Sequence, residues 1–331
     1  MKLYDFVSRF PDEQSCKDAF RAMRQREGFI CPVCGCPEHY WMKGKEMFKC
    51  KHCGHMTSLR AGTIMHGSKL PFRWWFITIH LLTATKHTFS AAEIQRQLGA
   101  KRYQPIWEMM HKIRTVMGWC DAEYLLSNGI ELDEAFFSTE MDAEAKGEKL
   151  KAGAGSQKKS KVLVMAESEE VECPKKGKKA KKVGRIKMHV IPDTKGKTIF
   201  RETWRRVDMD VHVTMDMSVS HGLIEKAFDH RTVKMATPKD AEENLPWVHT
   251  VISNCKSQLL DTYHGTKKEY LQDYLNEFCY KFNRRYLGEG LFDNLLKIVA
   301  KYPNRFEHRV YNKQKGIFTY QRTKVYAKSV A

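Results

Sequence analysis

Gly129-Ile130-Glu131-Leu132-Asp133-Glu134-Ala135-Phe136-Phe137 is the stretch whose reading decides the fold. Apolar residues at 130, 132, 135, 136 and 137 surround the acids, so it reads as a buried strand interrupted by charge. Side chains alternate across a strand, which puts Asp133 on one face with Glu131 and Ala135, and Leu132 with Glu134 on the other. Neither face is purely apolar. A carboxylate on a buried strand is costly unless it is paired or binds a cation. An edge strand with solvated acids is the plain alternative. The rest of the chain, with its basic charge, a metal-binding head and polar residues downstream, favours the functional reading.

The 331 residues suggest about two domains on the usual prior of roughly 150 residues each. Lys plus Arg is 57 against 39 acids, a net charge of +18, and 42% of residues are hydrophobic. The chain can therefore bury a core while its surface stays strongly basic, which points to a polyanion, nucleic acid first and a membrane surface second. No apolar run is long enough for a transmembrane helix. The first twelve residues have no apolar core of the kind a secretory signal needs. A cytoplasmic protein with no membrane-spanning segment is expected. The ten cysteines are read as thiols or metal ligands, not disulfides.

Working back toward the N-terminus, residues 11–27 suit a helix with Asp12 as its cap and Cys16, Ala19, Phe20 and Met23 on one side. Cys31-Pro-Val-Cys34 and, after fifteen intervening residues, Cys50-Lys-His-Cys53 have the spacing of a closed four-thiolate zinc site. Gly35 and Gly54 follow the two knuckles, where tight turns are needed. Cys36, His39, His52 and His55 are spare candidates beside a site already filled. Residues 69–118 read as helices: a nearly all-apolar one from Pro71, a second capped by Ser90 and closed by Gly99, and a third from Tyr103 to Trp119. Helix, glycine turn and helix, with Lys101, Arg102, Lys112 and Arg114 nearby, fit a helix-turn-helix reader of the major groove.

Working forward, strands are expected at 161–166 and 184–190, a helix at 199–207, a strand at 211–216, a helix near 218–227 and a short strand at 231–236. Helices follow at 247–260, 266–286 and 290–301. This is the element order of an RNase H-like α/β domain, a mixed sheet flanked by helices. Such a fold places one acid within the first strand and a second after the fourth, positions that Asp133 and Asp216 match. Asp208 and Asp210 are alternatives for the second, and Asp261 could supply a missing carboxylate. His249 and His264 bracket a helix and could position water or DNA, although a lone histidine is more often structural. Lys178 and Lys179 sit in an acid-free basic run, a candidate phosphate-contacting arm or a solvated hairpin tip. Residues 303–331 hold seven Lys or Arg against one acid, interleaved with aromatics, which suits phosphate contact and stacking.

Longer strings make a resemblance specific. They are the ribbon cysteines, Ala61–Phe76, Ser90–Gly99, Ile106-Trp107, Glu131–Glu134, Val248–Ser257, Thr262–Gly265, Tyr274–Phe278 and Phe282–Arg285. Over roughly residues 10–290 the chain resembles the DDE-type transposases of the zinc-ribbon, ISXO-type insertion-sequence family. The resemblance implies metal-dependent cleavage of DNA ends and strand transfer, with structural Zn²⁺ and catalytic Mg²⁺ or Mn²⁺. It also implies terminal inverted repeats as partner and a homo-oligomer. Asp133 and Asp216 would be the first two catalytic metal ligands. The third position would be Asn254, with Lys256 two residues on. Glu277 and Arg284 match a further family pattern, in which Lys281 stands where Arg is usual, and Arg285 follows as a DNA contact. The rivals are a zinc-ribbon DNA-binding protein and a domesticated transposase without catalysis. The expected organisation is a ribbon with a leading helix (1–60), a helical DNA-binding region (61–125), a catalytic domain (126–300) and a basic tail (301–331).

Overall fold

The computed structural model describes residues 1–141, 156–171, 181–216, 218–228, 232–235, 245–263 and 265–303. Lys178, Lys179, His264 and almost all of the basic tail lie outside the described residues.

Asp12 begins the ordered logic of the N-terminal half. Its carboxylate accepts the backbone N–H of Ser15 at 2.7 Å, and Ser15 reciprocates, so helix α2 (Glu13–Arg26) starts in a capping box. The next residue, Glu13, caps a different helix. Its two oxygens accept the N–H groups of Phe72 and Arg73, each at 2.8 Å, at the start of α3 (Phe72–Ala84), whose own N-cap is Pro71. Strands β1 (His39–Met42), β2 (Met47–Cys50) and β3 (Met56–Ser58) form a small antiparallel sheet. Ser90 caps α4 (Ala91–Leu98), Gly99 closes it in a left-handed turn, and α5 spans Tyr103–Ala122. A short helix α1 (Leu3–Arg9), not expected from the sequence, packs Phe6 on His80 with ring centroids 4.5 Å apart.

The larger sheet has the order β6-β5-β4-β7-β8. Its strands are β4 (Ile130–Ser138), β5 (Lys159–Glu170), β6 (Lys181–Ile191), β7 (Val213–Asp216) and β8 (Thr232–Met235). The first three run antiparallel as a meander, and β7 lies parallel to β4 on its other side. The acidic stretch is thus the central strand, not an edge. One face of the sheet packs under α8 (Pro246–Thr262) and α9 (Lys268–Asn283) through Ala135, Phe137, Val164, Val248, Val251 and Leu275. The other packs on α6 (Gly196–Trp204) and α7 (Gly222–Phe228) through Leu132, Met165, Ile199 and Ile224. The last helix, α10 (Leu291–Lys301), leaves the sheet and joins the N-terminal core, where Phe292 is buried with Phe6, Phe10 and Phe76. Packing therefore groups 291–301 with the helices of the first half.

Polar side chains of α9 tie these layers together, and several carry roles the sequence reading assigned elsewhere. The sequence reading places Arg114 among the DNA contacts of a helix-turn-helix. Arg114 is 1% exposed, and its Nε donates to Glu277, itself fully buried, at 2.8 Å. It also donates to the Tyr263 hydroxyl and lies over the Tyr274 ring. Glu277 is thereby held by Arg114 inside the protein, away from solvent. Lys281, 9% exposed, donates to the His87 carbonyl and stands 3.8 Å from Glu277. Arg284 pairs with Asp121. Gln272, Asn283 and Arg285 bond the backbone of β6, Arg285 donating to the carbonyls of Val183 and Gly184. They close the free edge of an outer strand, a row of donors and acceptors that proteins generally cover.

Because Arg114 has no solvent to fall back on, Glu277→Ala is expected to destabilise the chain by about 3–5 kcal/mol, the usual cost of an orphaned buried charge. Glu277→Gln, which keeps one hydrogen bond, is expected to cost less. Urea unfolding of the three proteins checks this order.

Candidate active site and zinc centre

In the ribbon, Cys31 and Cys34 come from one turn, Cys50 and Cys53 from the other, and Gly35 and Gly54 adopt φ of +73° and +71° just after each. The left-handed turns let the backbone curl around the sulfurs. Cys31 Sγ lies 3.6 Å from Cys53 Sγ and Cys34 Sγ 3.5 Å from Cys50 Sγ. All four lie within 4.8 Å of one another. Thiolates bonded to one Zn²⁺ at about 2.3 Å stand about 3.8 Å apart, so the cluster fits zinc. Backbone N–H groups of Cys53 and His52 point at the Cys50 sulfur and lower that thiol to about 6, toward the ligating thiolate. Among the described residues this is the cluster of three or more metal-ligating side chains that closes so tightly.

A second polar constellation sits where β4 and β7 run side by side. Glu131 pairs with Thr214 in their parallel register, and two residues on this brings Asp133 alongside Asp216. The acids of β4 go separate ways. Glu131, 1% exposed, turns under α8 and accepts the N–H groups of Trp247 and Val248 at 2.7 and 2.9 Å. Helix α8 has no cap of its own at Leu245, so this strand acid holds its first turn. Asp133 remains partly open, and His249 Nε2 stands 3.4 Å from its Oδ2. Glu134 points to the other face, where its Oε1 lies 2.7 Å from His221 Nε2. His221 Nδ1 then lies 2.8 Å from Asp216 Oδ1.

Burial first, and the neighbouring Glu134 charge second, raise the Asp133 carboxyl to about 6, against the opposing pull of His249. Burial would lower the His221 imidazole, but the hydrogen bond and charge of Glu134, with Asp216 behind them, raise it. Three acids converge on two histidines, which leaves negative charge for a cation to offset.

Helix α8 separates the residues proposed for the third position. Val248, Val251, Cys255 and Leu259 are its buried stripe. His249 and Lys256 flank that stripe on one side, seven residues and nearly two turns apart. Lys256 Nζ lies 5.6 Å from the centre of the Phe137 ring, further along the face of β4 that carries Asp133. Asn254 is five residues from His249, about 140° around the helix, and exposed. It belongs to the opposite flank. Asp261 is about 18 Å further along α8 than His249. Asp208 serves the turn before β7, accepting the Asp210 N–H. The sequence reading weighed His249 and set it aside, and it missed Glu134 and His221. The signal available for His249 was its spacing to Lys256.

Two outcomes follow. Cys50→Ser is expected to lose the roughly one zinc per chain that the four thiolates hold, with a lower melting temperature, by metal analysis and thermal melting. Asp133 has a higher pKa folded than unfolded, so ionising it costs stability as pH rises from about 4 to about 6. Asp133→Asn is therefore expected to raise the melting temperature at pH 7.5 and leave it nearly unchanged at pH 4.

Comparison with known families gives two matches. Residues 11–56 match the transposase zinc-ribbon domain. Residues 125–283 match the ISXO2-like transposase domain. No curated protein matches the chain. The two matched regions cover the zinc cluster and the whole Asp133–Asp216–His249 constellation, together more than half of the 331 residues. The chain belongs to the family of ISXO2-like transposases with a zinc-ribbon domain.

Proposed function

We propose that this chain is an insertion-sequence transposase that cuts the ends of its element and joins them to target DNA. The observation that carries the reading is the pairing of Asp133 with Asp216 on adjoining parallel strands beneath His249. The sheet order, a three-stranded meander followed by two parallel strands, supports an RNase H-like catalytic domain. The donor set fits divalent cations: two carboxylates side by side, one with its proton affinity raised by burial and a neighbouring acid, both relieved by positive charge. When bound there, Mg²⁺ or Mn²⁺ supplies activation of the attacking oxygen and stabilisation of the leaving one. Asp133 and Asp216 would hold it. His249, rather than Asn254, is the third group. Lys256, on the same flank of α8, would contact the scissile phosphate.

End recognition is assigned to the ribbon and to α4–Gly99–α5. Most of α5 is buried against α9, so only its N-terminal end can enter a groove. Lys101, Arg102, Tyr103 and Gln104 are exposed there, the part of a recognition helix that contacts bases. Lys112 is half-buried on the same helix. Two copies would be needed to hold two ends together. No described helix is long and apolar enough to cross a membrane.

The test is cleavage and joining of a labelled duplex bearing the element's terminal repeat, in Mg²⁺ or Mn²⁺. Asp133→Ala and Asp216→Ala are expected to lower the rate on the order of a thousandfold or more while binding the duplex normally. His249→Ala is expected to fall well below wild type, and Asn254→Ala to match it. Wild type that binds the repeat without cutting it in either metal would replace this reading with a domesticated, DNA-binding transposase. Among the described residues the third carboxylate near this pair, that of Glu134, is turned to His221, and this is the observation that favours that second reading.

A further inference from the structure

His221 is the residue of this site that the proposed chemistry leaves without a task, and its surroundings are specific. It ends a 3₁₀ turn (Val219–His221) just after β7, between the strand and α7. It is 1% exposed. Its ring spans two acids from different strands, Nε2 at 2.7 Å from Glu134 Oε1 and Nδ1 at 2.8 Å from Asp216 Oδ1. Nδ1 is also 3.2 Å from the Asp216 carbonyl. The backbone N–H of Ser218 donates to the same Asp216 Oδ1 at 3.1 Å. Behind the turn, a Cβ on Gly196 would lie 2.8 Å from the Ser220 carbonyl, so the start of α6 presses against it and only glycine fits.

These contacts are one-sided in a useful way. Both donors converge on Oδ1 of Asp216, which leaves Oδ2 as the oxygen for a cation. Asp216 is the last residue of its strand and its side chain is 45% exposed, so without donors the carboxylate would rotate freely. Glu134 is on the central strand, 13% exposed, and cannot follow Asp216 if that strand end moves. The histidine therefore transmits the fixed position of β4 to the end of β7.

We infer that His221, held by Glu134, is a positioning residue that fixes the Asp216 carboxylate for metal binding. The inference rests on the transposase reading of Asp133 and Asp216. It assigns Glu134 and His221 to the site without placing either on the DNA or on the cation. It also explains why Glu134 follows Asp133 directly: adjacent residues of a strand face opposite ways, so one acid reaches the site and the next reaches the histidine that steadies its partner.

The experiment separates the two ends of the ring. In full-length, zinc-loaded protein, His221→Asn places an N–H near Nδ1 and keeps the Asp216 contact, whereas His221→Gln extends to the Nε2 position and keeps the Glu134 contact. Mn²⁺ binding is followed at equilibrium by electron paramagnetic resonance, beside thermal melts and the metal dependence of cleavage. His221→Gln is expected to weaken Mn²⁺ binding about 10- to 100-fold, the usual effect of losing a group that orients a ligand, and Glu134→Ala, which leaves the ring on Asp216, only a few-fold. They should raise the metal concentration for half-maximal cleavage and leave duplex binding unchanged. His221→Asn is expected to stay within a few-fold of wild type. Wild-type Mn²⁺ affinity in His221→Gln overturns the inference, as does a loss in His221→Asn equal to that in His221→Gln. If wild type cuts, Asp133→Ala does not, and the His221 variants bind Mn²⁺ normally, the clamp alone fails. If wild type itself binds no Mn²⁺ outside the ribbon, the transposase reading of the two acids fails and the clamp falls with it.

Discussion

Two backbone N–H groups, those of Trp247 and Val248, meet one carboxylate oxygen of Glu131 inside the protein. Nearly everything about the candidate site depends on that meeting. Helix α8 begins at a proline preceded by a leucine, neither of which offers a side-chain cap. The central strand supplies one instead. Hydrogen bonds to a charged group contribute about 1.5–3 kcal/mol each, and the start of a helix favours negative charge. The bond also sets the helix in register with the strand. From it follow His249 over Asp133 and Lys256 beside Phe137, along the same face of β4. Glu13 does the same for α3 in the other half of the molecule. In both cases an acid distant in sequence fixes where a helix starts, and so which of its residues face inward.

The basic composition divides into two populations. Lys101 and Arg102 stand in solvent, ready for a polyanion. Arg114, Lys281, Arg284 and Arg285 are spent on Glu277, Asp121 and the open carbonyls of β6 and of His87. A cation–carboxylate pair such as Arg114–Glu277 is worth little net as a source of stability, but it tolerates no unpaired partner. It therefore specifies how α5 seats on α9, with the Tyr263 and Tyr274 side chains completing its surroundings. That seating leaves Tyr103 and Gln104, in the first turn of α5, facing outward.

The three acids of the central strand show how one short segment serves fold and chemistry together. Alternation sends Glu131 and Asp133 to the α8 side and Glu134 to the α7 side. Glu131 lies deep enough to be committed to the backbone. Asp133 lies at the level where β4 and β7 open toward solvent, where burial and the neighbouring Glu134 charge raise its pKa. Glu134 reaches a histidine that reaches Asp216. Strain of this kind, like charges held close by packing, is a common feature of sites built to bind cations.

Much of this protein was legible in its residue pattern. The two knuckles announced zinc because thiolate spacing is local and the sulfurs need only two tight turns to meet. The strand and helix order was legible because periodicity records which faces are apolar, and Asp133 and Asp216 stood out as acids at strand positions. What only the tertiary structure decided is which of several plausible polar residues share a space. Asn254 and His249 are both on α8, yet a five-residue step turns the helix by more than a third of a circle, and the register was set by Glu131 across the core. Arg114 read as a DNA contact from its place beside the glycine turn and Glu277 as a site residue from a family pattern, and both are buried because α5 and α9 pack there. Glu134 and His221 carried no signal at all, being 87 residues apart and joined only by the parallel pairing of β4 with β7. Local pattern determines elements; the partner of a charge is determined by the packing that removes water from around it.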